Sequence, residues 1–392
     1  MNKMKYVSIF SLITLLILFF SCSKKNDVPI DYEYPDEKPV YLENAENLKK
    51  VKGNSIQIDP VVFYLLDISP EELISDLKKA NITSVHFFLV TDWDGSKDDE
   101  LLRPEYLKAL KDNNIEVWAL FIGNGMYGGQ SLPEEWEMEF LTPYPDPSVR
   151  FFSFHNDDYV AWQVDRVKRT LKNYDFIGIS FAETYFPEWR TIQTNGFYGD
   201  VSLYARQKFT EEYLKLNQSA LSFDAIRNDP TLYRKWQDFR VEAILNFNQK
   251  IKEAVRQTNP KAIFASWGIA LRNGTLGEIR EHFGLDMVRL AEEVEPDIFF
   301  IQTASQDWLD PNLKPNYLDQ YEYARKAIQE ANPNVKMAVQ TDIASLSYHN
   351  PGVGVRVPEW WIEFMNYSTK MGYYTNTAYE YAFSKKQDLW ME

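Results

Sequence analysis

The chain has 392 residues with 42 basic and 57 acidic side chains, net charge −15. So acidic a surface disfavours nucleic acid or an anionic polysaccharide as a general partner. A single cysteine, Cys22, rules out an internal disulfide, a thiolate metal site and a cysteine nucleophile elsewhere in the chain.

Lys3 and Lys5 precede an apolar run from Tyr6 to Phe20, too short to span a bilayer comfortably, and Ser21-Cys22 follows at once. This reads as a signal segment over 1–21, with Cys22 as the lipidated first residue that follows it. An uncleaved anchor or an ordinary secretion signal is the alternative, but the A-x-A-like site of the latter is missing. Residues 22–51 are polar and broken by Pro29, Pro35 and Pro39. They read as a linker ending in a short helix near Ala45–Lys50.

Residues 52–392 alternate strand and helix eight times. The expected strands are Ile56–Leu66, Ser84–Val90, Glu116–Ile122, Asp175–Ala182, Ala262–Trp267, Asp297–Thr303, Lys336–Thr341 and Gly372–Tyr379. The fourth of them is apolar at nearly every residue, as in a parallel strand buried on both faces. Between them lie amphipathic stripes. Ser69-Pro70-Glu71-Glu72 opens the first helix as a capping box with proline at its first position. Val160, Val164, Val167 and Leu171 share one face of the third helix, and Ile244, Phe247, Ile251 and Val255 share one face of the fourth. The pattern predicts an α/β fold, a single (β/α)8 barrel. A long insertion from Thr184 to about Tyr233, with its own helix near Ser202–Leu216, follows the fourth strand. Only about a dozen residues follow the last strand, and the helix near Ala45–Lys50 is expected to cover that side.

In such a barrel the residues at the C-terminal strand ends converge on one mouth. Here they are Asp67; Asp92, Trp93 and Asp94; Asn124; Glu183; Trp267 and Arg272; Gln302, Gln306, Asp307 and Trp308; Asp342; and Glu380. Acids, amides, one arginine and flat rings are what a sugar site needs. A glycosidic bond breaks through an oxocarbenium-like state, helped by one carboxyl that protonates the leaving oxygen and a second that acts as nucleophile or base. Glu183, delivered by a buried strand into the aromatic loop of Phe181, Tyr185 and Phe186, suits the acid, since desolvation would raise its pKa. It could equally cap the insertion or pair with an arginine. Asp342 ends the seventh strand across the mouth and suits the second role, with Asp307 and Glu380 as rivals. It could instead cap a turn with Ser345. Asp92, Trp93, Asn124, Tyr185, Trp267, Arg272, Gln302, Asp307, Trp308 and Glu380 are the expected substrate contacts. The four histidines lack zinc-site spacing, and no P-loop or nucleophile elbow is present, so no metal or cofactor is expected.

Several stretches resemble known families. Asp146-Pro-Ser-Val149, the helix bearing Asp165 and Arg166, Asp175-Phe-Ile-Gly178-Ile179 and Tyr185-Phe-Pro187 resemble glycosyl-hydrolase-like bacterial lipoproteins. Tyr204-Ala-Arg-Gln-Lys-Phe209 and Trp236-Gln-Asp-Phe-Arg240 are similar to the helical insertion of clan A β-galactosidases. The resemblance implies a carbohydrate-active barrel with its acid/base at Glu183, held at the bacterial outer membrane through a lipid on Cys22. Clan A enzymes carry Asn-Glu after the fourth strand and Glu after the seventh, where this chain has Ala182-Glu183 and Asp342. The expectation is a glycosidase acting on a neutral or weakly charged oligo- or polysaccharide. A non-catalytic glycan-binding barrel is the alternative, and a metal-dependent hydrolase using Asp92, Asp94 and Asp342 is a third class. Nothing in the pattern fixes an oligomeric state.

Overall fold

A computed structural model describes residues 41–89, 101–125, 131–144, 149–187, 197–345, 356–387 and 390. Eight strands form a closed parallel barrel in chain order. They are β1 (Gly53–Ile58), β2 (Ile82–Phe88), β3 (Glu116–Ile122), β4 (Gly178–Ala182), β5 (Ile263–Ile269), β6 (Ile298–Gln302), β7 (Lys336–Asp342) and β8 (Thr375–Tyr379). β1 closes the ring on β8, with Gly53 level with Thr375 and Ser55 with Thr377. The expected (β/α)8 barrel is the observed fold.

The strand that departs most from expectation is the first; the other boundaries shift by three residues or fewer. The first strand ends at Ile58, and Pro60–Phe63 is helical, followed by a 3-10 turn over Tyr64–Leu66. Val61 and Val62 look strand-like, but Pro60 cannot donate to a central ladder, and the Asp59 carboxylate accepts from the Val61 N–H at 3.0 Å and starts a helix. Asp67 therefore lies beyond that turn, at φ 52°, and Asp59 stands at the strand end instead.

Alternation along each strand sorts side chains between two cores. Trp118, Leu120, Ile263, Ala265, Ile298, Phe300 and Ala338 fill the barrel interior. Ile56, Phe87, Phe121, Phe181, Phe264, Phe299 and Val339 face the surrounding helices. Gly178 allows the tightest inner contact: a Cβ there would lie 2.5 Å from the Ile263 carbonyl and 2.6 Å from the Trp118 ring. The helix Asp157–Asn173 starts on Asn156, whose side chain accepts from the Asp158 and Tyr159 N–H groups, and buries Val160, Val167 and Leu171. The helix Pro230–Thr258 starts on Asp229 and buries Ile244, Phe247, Ile251 and Val255.

The N-terminal helix spans Tyr41–Lys50, so the compact unit begins at Tyr41 rather than at residue 52. It does not stand in for an eighth helix. Leu48 and Val51 pack into the interior cluster, Tyr374 donates its hydroxyl to the Leu48 carbonyl at 2.7 Å, and Asn47 donates to the Lys261 carbonyl at 2.7 Å. These partners lie just before β5 and β8, so the helix stoppers the N-terminal end of the barrel. A six-residue helix, Tyr381–Lys386, follows β8.

The insertion after β4 builds its own small core from Tyr198, Val201, Ala205, Phe209, Phe223, Ile226, Trp236 and Phe239. Its helix runs over Leu203–Lys208 and continues as a π-turn over Phe209–Tyr213. Arg240 ties this unit down: its guanidinium lies over the Tyr198 and Phe186 rings and donates to the Glu281 and His282 carbonyls.

Candidate active site

A cavity of about 460 Å3 opens at the C-terminal mouth of the barrel, where the fold places chemistry. Among the described residues three carboxylates border it: Asp59 after β1, Glu183 after β4 and Asp342 at the end of β7. Phe88, Ile122, Ala182, Trp267, Trp308, Leu309 and Tyr379 supply its apolar walls, and Gln57, Gln302 and Gln340 its amides.

Glu183 sits one residue past β4 with φ 54°. The close approach of the β3 and β4 ends that places it requires glycine at 123, where a Cβ would lie 2.4 Å from Thr184 Cγ2 and 2.9 Å from its Cα. The Glu183 carboxylate accepts hydrogen bonds from the side chains of Gln302 and Asn124. Burial pushes its pKa up from 4.5 to about 7, although those two bonds oppose the rise. The rings expected to desolvate it are not the ones that do. Phe181 faces outward against Phe121 and Phe247, and Phe186 packs on Phe154 and His155. The walls of the cavity do the work instead. Tyr185 acts one step away, donating its hydroxyl to Gln302 Oε1 at 3.3 Å.

Asp342 is buried, and its carboxylate is richly supplied. Oδ1 accepts from the Ala344 and Ser345 N–H groups at 2.9 and 2.7 Å, and Oδ2 accepts from the Ser345 hydroxyl at 2.6 Å. Burial raises its pKa, and these donors hold the rise back. Asp342 thus caps the following turn while also bordering the cavity. Asp59 is raised by burial as well.

Trp267 lies stacked on Phe300, with ring centroids 4.6 Å apart, and Trp308 donates its indole N–H to the Thr303 hydroxyl at 2.7 Å. Both rings border the cavity, as expected of sugar platforms. Five other expected contacts do not: Asn124 and Tyr185 stand behind Glu183 and Gln302, and Arg272, Asp307 and Glu380 are engaged elsewhere. Arg272 and Asp307 pair with each other at 2.5 Å, and the Tyr321 hydroxyl donates to the same carboxylate. Glu380 is fully buried as the cap of Tyr381–Lys386, accepting from the Asp59, Ala382 and Phe383 N–H groups, and burial pushes it up to about 8. These are structural carboxylates, satisfied by groups from distant segments. Asp92, Trp93 and Cys22 lie outside the described residues. Among the described residues no group of three His, Cys, Asp or Glu side chains is placed to hold a metal ion.

The sequence reading missed Asp59, Gln57 and Gln340. The two glutamines carried a signal: each is a polar residue at an inward position of an otherwise buried strand.

No protein-family profile matches the chain, and no characterised protein matches it by sequence. Solved structures do match it. The PgaB (BpsB) glycoside hydrolase domain from Bordetella bronchiseptica superposes with a TM-score of 0.58 at 16% identity, covering 86% of this chain and 96% of that one. The fold is that of TIM-barrel glycosidases. A β-galactosidase from the psychrophilic Marinomonas ef1 gives 0.55 at 9% identity, over 84% of this chain and 54% of its own. An α-L-fucosidase isoenzyme 2 from Paenibacillus thiaminolyticus gives 0.54 at 12%, over 87% and 47%. This chain therefore spans about half the length of the last two.

Proposed function

We propose that this chain hydrolyses O-glycosidic bonds in a neutral or weakly charged oligo- or polysaccharide. Glu183 is the general acid/base and Asp342 the nucleophile or water-activating base. One observation carries the reading: a carboxylate at the end of β4, held by two amides, faces a carboxylate-bordered cavity in a glycosidase-like barrel. At pH 7 a carboxyl with pKa about 7 is half protonated, so Glu183 can give its proton to the leaving glycosidic oxygen and take one back from water. Asp342 is held by three donors that favour its charged form, as a nucleophile or base requires. Trp267 and Trp308 offer ring faces to the sugar.

The test is sugar release from a broad glycan panel, with Glu183→Gln in parallel. Release by the parent that collapses in the variant supports the assignment. No release by either protein, with equal glycan binding by both, supports a non-catalytic glycan binder. That second reading draws on the Asp342 carboxylate being engaged in a turn. We further propose that residues 1–21 are removed and Cys22 is lipidated, tethering the barrel to a bacterial outer membrane. Mass spectrometry of the native N-terminal peptide checks this, and an unmodified Cys22 rejects it.

A further inference from the structure

Three glutamines border the cavity, and they are not alike. Gln302 is occupied, its oxygen by Tyr185 and its amide by Glu183. Gln57 and Gln340 are 1% and 4% exposed, yet the Gln57 Nε2 and the Gln340 Oε1 are buried without a partner. Neither side chain makes a hydrogen bond to another described residue. Trp267, 1% exposed on the same cavity, likewise leaves its indole N–H without a partner.

Buried polar groups are costly unless paired, and a glutamine kept only for packing would be satisfied or replaced by an apolar residue. Here the unanswered groups sit on β1, β5 and β7 and border one space. Gln340 is level with Gln302 on the neighbouring strand, which places it beside the amide that holds Glu183. We infer that Gln57 and Gln340 bind the substrate directly through the amide ends that are not buried, Gln57 Oε1 and Gln340 Nε2, reading uncharged hydroxyl or acetamido groups of the sugar held against Glu183. This rests on the glycan reading above and names its substrate class.

The chemistry selects among sugars. The two free amide ends are one acceptor and one donor, and a hydroxyl or an acetamido group offers both halves in return. A uronate brings a carboxylate into a cavity bordered by Asp59, Glu183 and Asp342, and no lysine or arginine is among its described lining residues.

The experiment uses the full chain carrying Glu183→Gln, so that bound sugar is not turned over. Tetrasaccharides of glucose, galactose and N-acetylglucosamine are compared with that of galacturonate. Binding is read by calorimetry and by the fluorescence of the cavity tryptophans. A neutral tetrasaccharide binds and the galacturonate one does not. Adding Gln57→Met or Gln340→Met weakens binding about 5- to 10-fold each, the worth of one hydrogen bond or slightly more. The same substitutions leave the melting temperature of the free protein equal or higher, whereas a structural glutamine would lower it. Affinity unchanged in both variants, binding of the galacturonate tetrasaccharide alone, or no binding at all overturns the inference. Turnover by the parent with binding indifferent to both glutamines leaves the role of Glu183 standing. Glutamine-dependent binding without turnover does the reverse.

Discussion

Tyr185 fixes which end of Gln302 faces Glu183. Its hydroxyl donates to Gln302 Oε1, so the only group Gln302 has left for the carboxylate is its amide nitrogen. The result is a donor aimed at Glu183, which favours the ionised form and opposes the effect of burial. Tyr185→Phe releases that amide. We predict that the alkaline limb of the pH–rate profile moves up by a few tenths of a unit, with kcat lowered by about 3- to 10-fold. A profile superimposable on the parent's shows that the orientation of Gln302 does not depend on Tyr185.

The acid role of Glu183 has a direct pH signature. With its pKa pushed from 4.5 to about 7, the protonated form that donates to the leaving oxygen is lost above neutrality. Activity is expected to fall on an alkaline limb near pH 7, and Glu183→Gln to lose about 10²- to 10⁴-fold and the limb with it. An intact limb in the variant points to another acid.

Stability follows the same groups with a definite sign. Glu183 and Glu380 have folded-state pKa values raised to about 7 and about 8. Between the ordinary value of 4.5 and these raised values, the folded chain holds protons that the unfolded chain has released. Their stabilising contribution is complete below about pH 4.5 and is lost as pH rises through 7 and 8. Differential scanning calorimetry is expected to show the melting temperature falling between about pH 4.5 and 8, and Glu183→Gln to flatten the part of that fall below about pH 7.

Asp342 can be separated into its two duties. Asn at 342 keeps an acceptor for the Ala344 and Ser345 N–H groups, so Asp342→Asn is expected to fold with little loss of stability, whereas Asp342→Ala costs about 1 kcal/mol as a lost cap. Both variants lose activity by about 10²-fold or more if the carboxylate reacts. Full activity in Asp342→Asn moves the second role to Asp59, the remaining carboxylate among the described residues on the cavity.

Gly123 offers a packing test at a residue that carries no reacting group itself. A methyl group there meets Thr184 backbone and side chain at under 3 Å. Gly123→Ala is expected to cost about 1–3 kcal/mol in denaturant unfolding and to lower kcat, because the strand end that carries Glu183 must move.

Much of this was readable from residue order. Buried parallel strands are apolar runs, so all eight were found, and Glu183 was legible because it breaks such a run at its C-terminal end. Asp59 was hidden by the Pro60-Val61-Val62-Phe63 segment, whose β-branched residues imitate a strand until the Asp59 cap and Pro60 redirect it. Arg272, Asp307 and Glu380 looked like cavity groups because they follow strands. What retires them are partners contributed from elsewhere: Tyr321 for Asp307, and the Asp59 N–H for Glu380. Gln57 and Gln340 could be placed on inward positions, but a lack of partners is a property of three dimensions.

The helix at Tyr41–Lys50 also sets how the barrel bears load. A pull on the chain upstream of Tyr41 meets this helix before it meets β1, and the helix is held at the closed end by the contacts of Leu48, Val51 and Asn47. Those contacts are few, while each strand is zipped to two neighbours along its length. Under tension the helix should peel away first, as a sacrificial clasp, while the opposite end of the barrel with Glu183 keeps its shape.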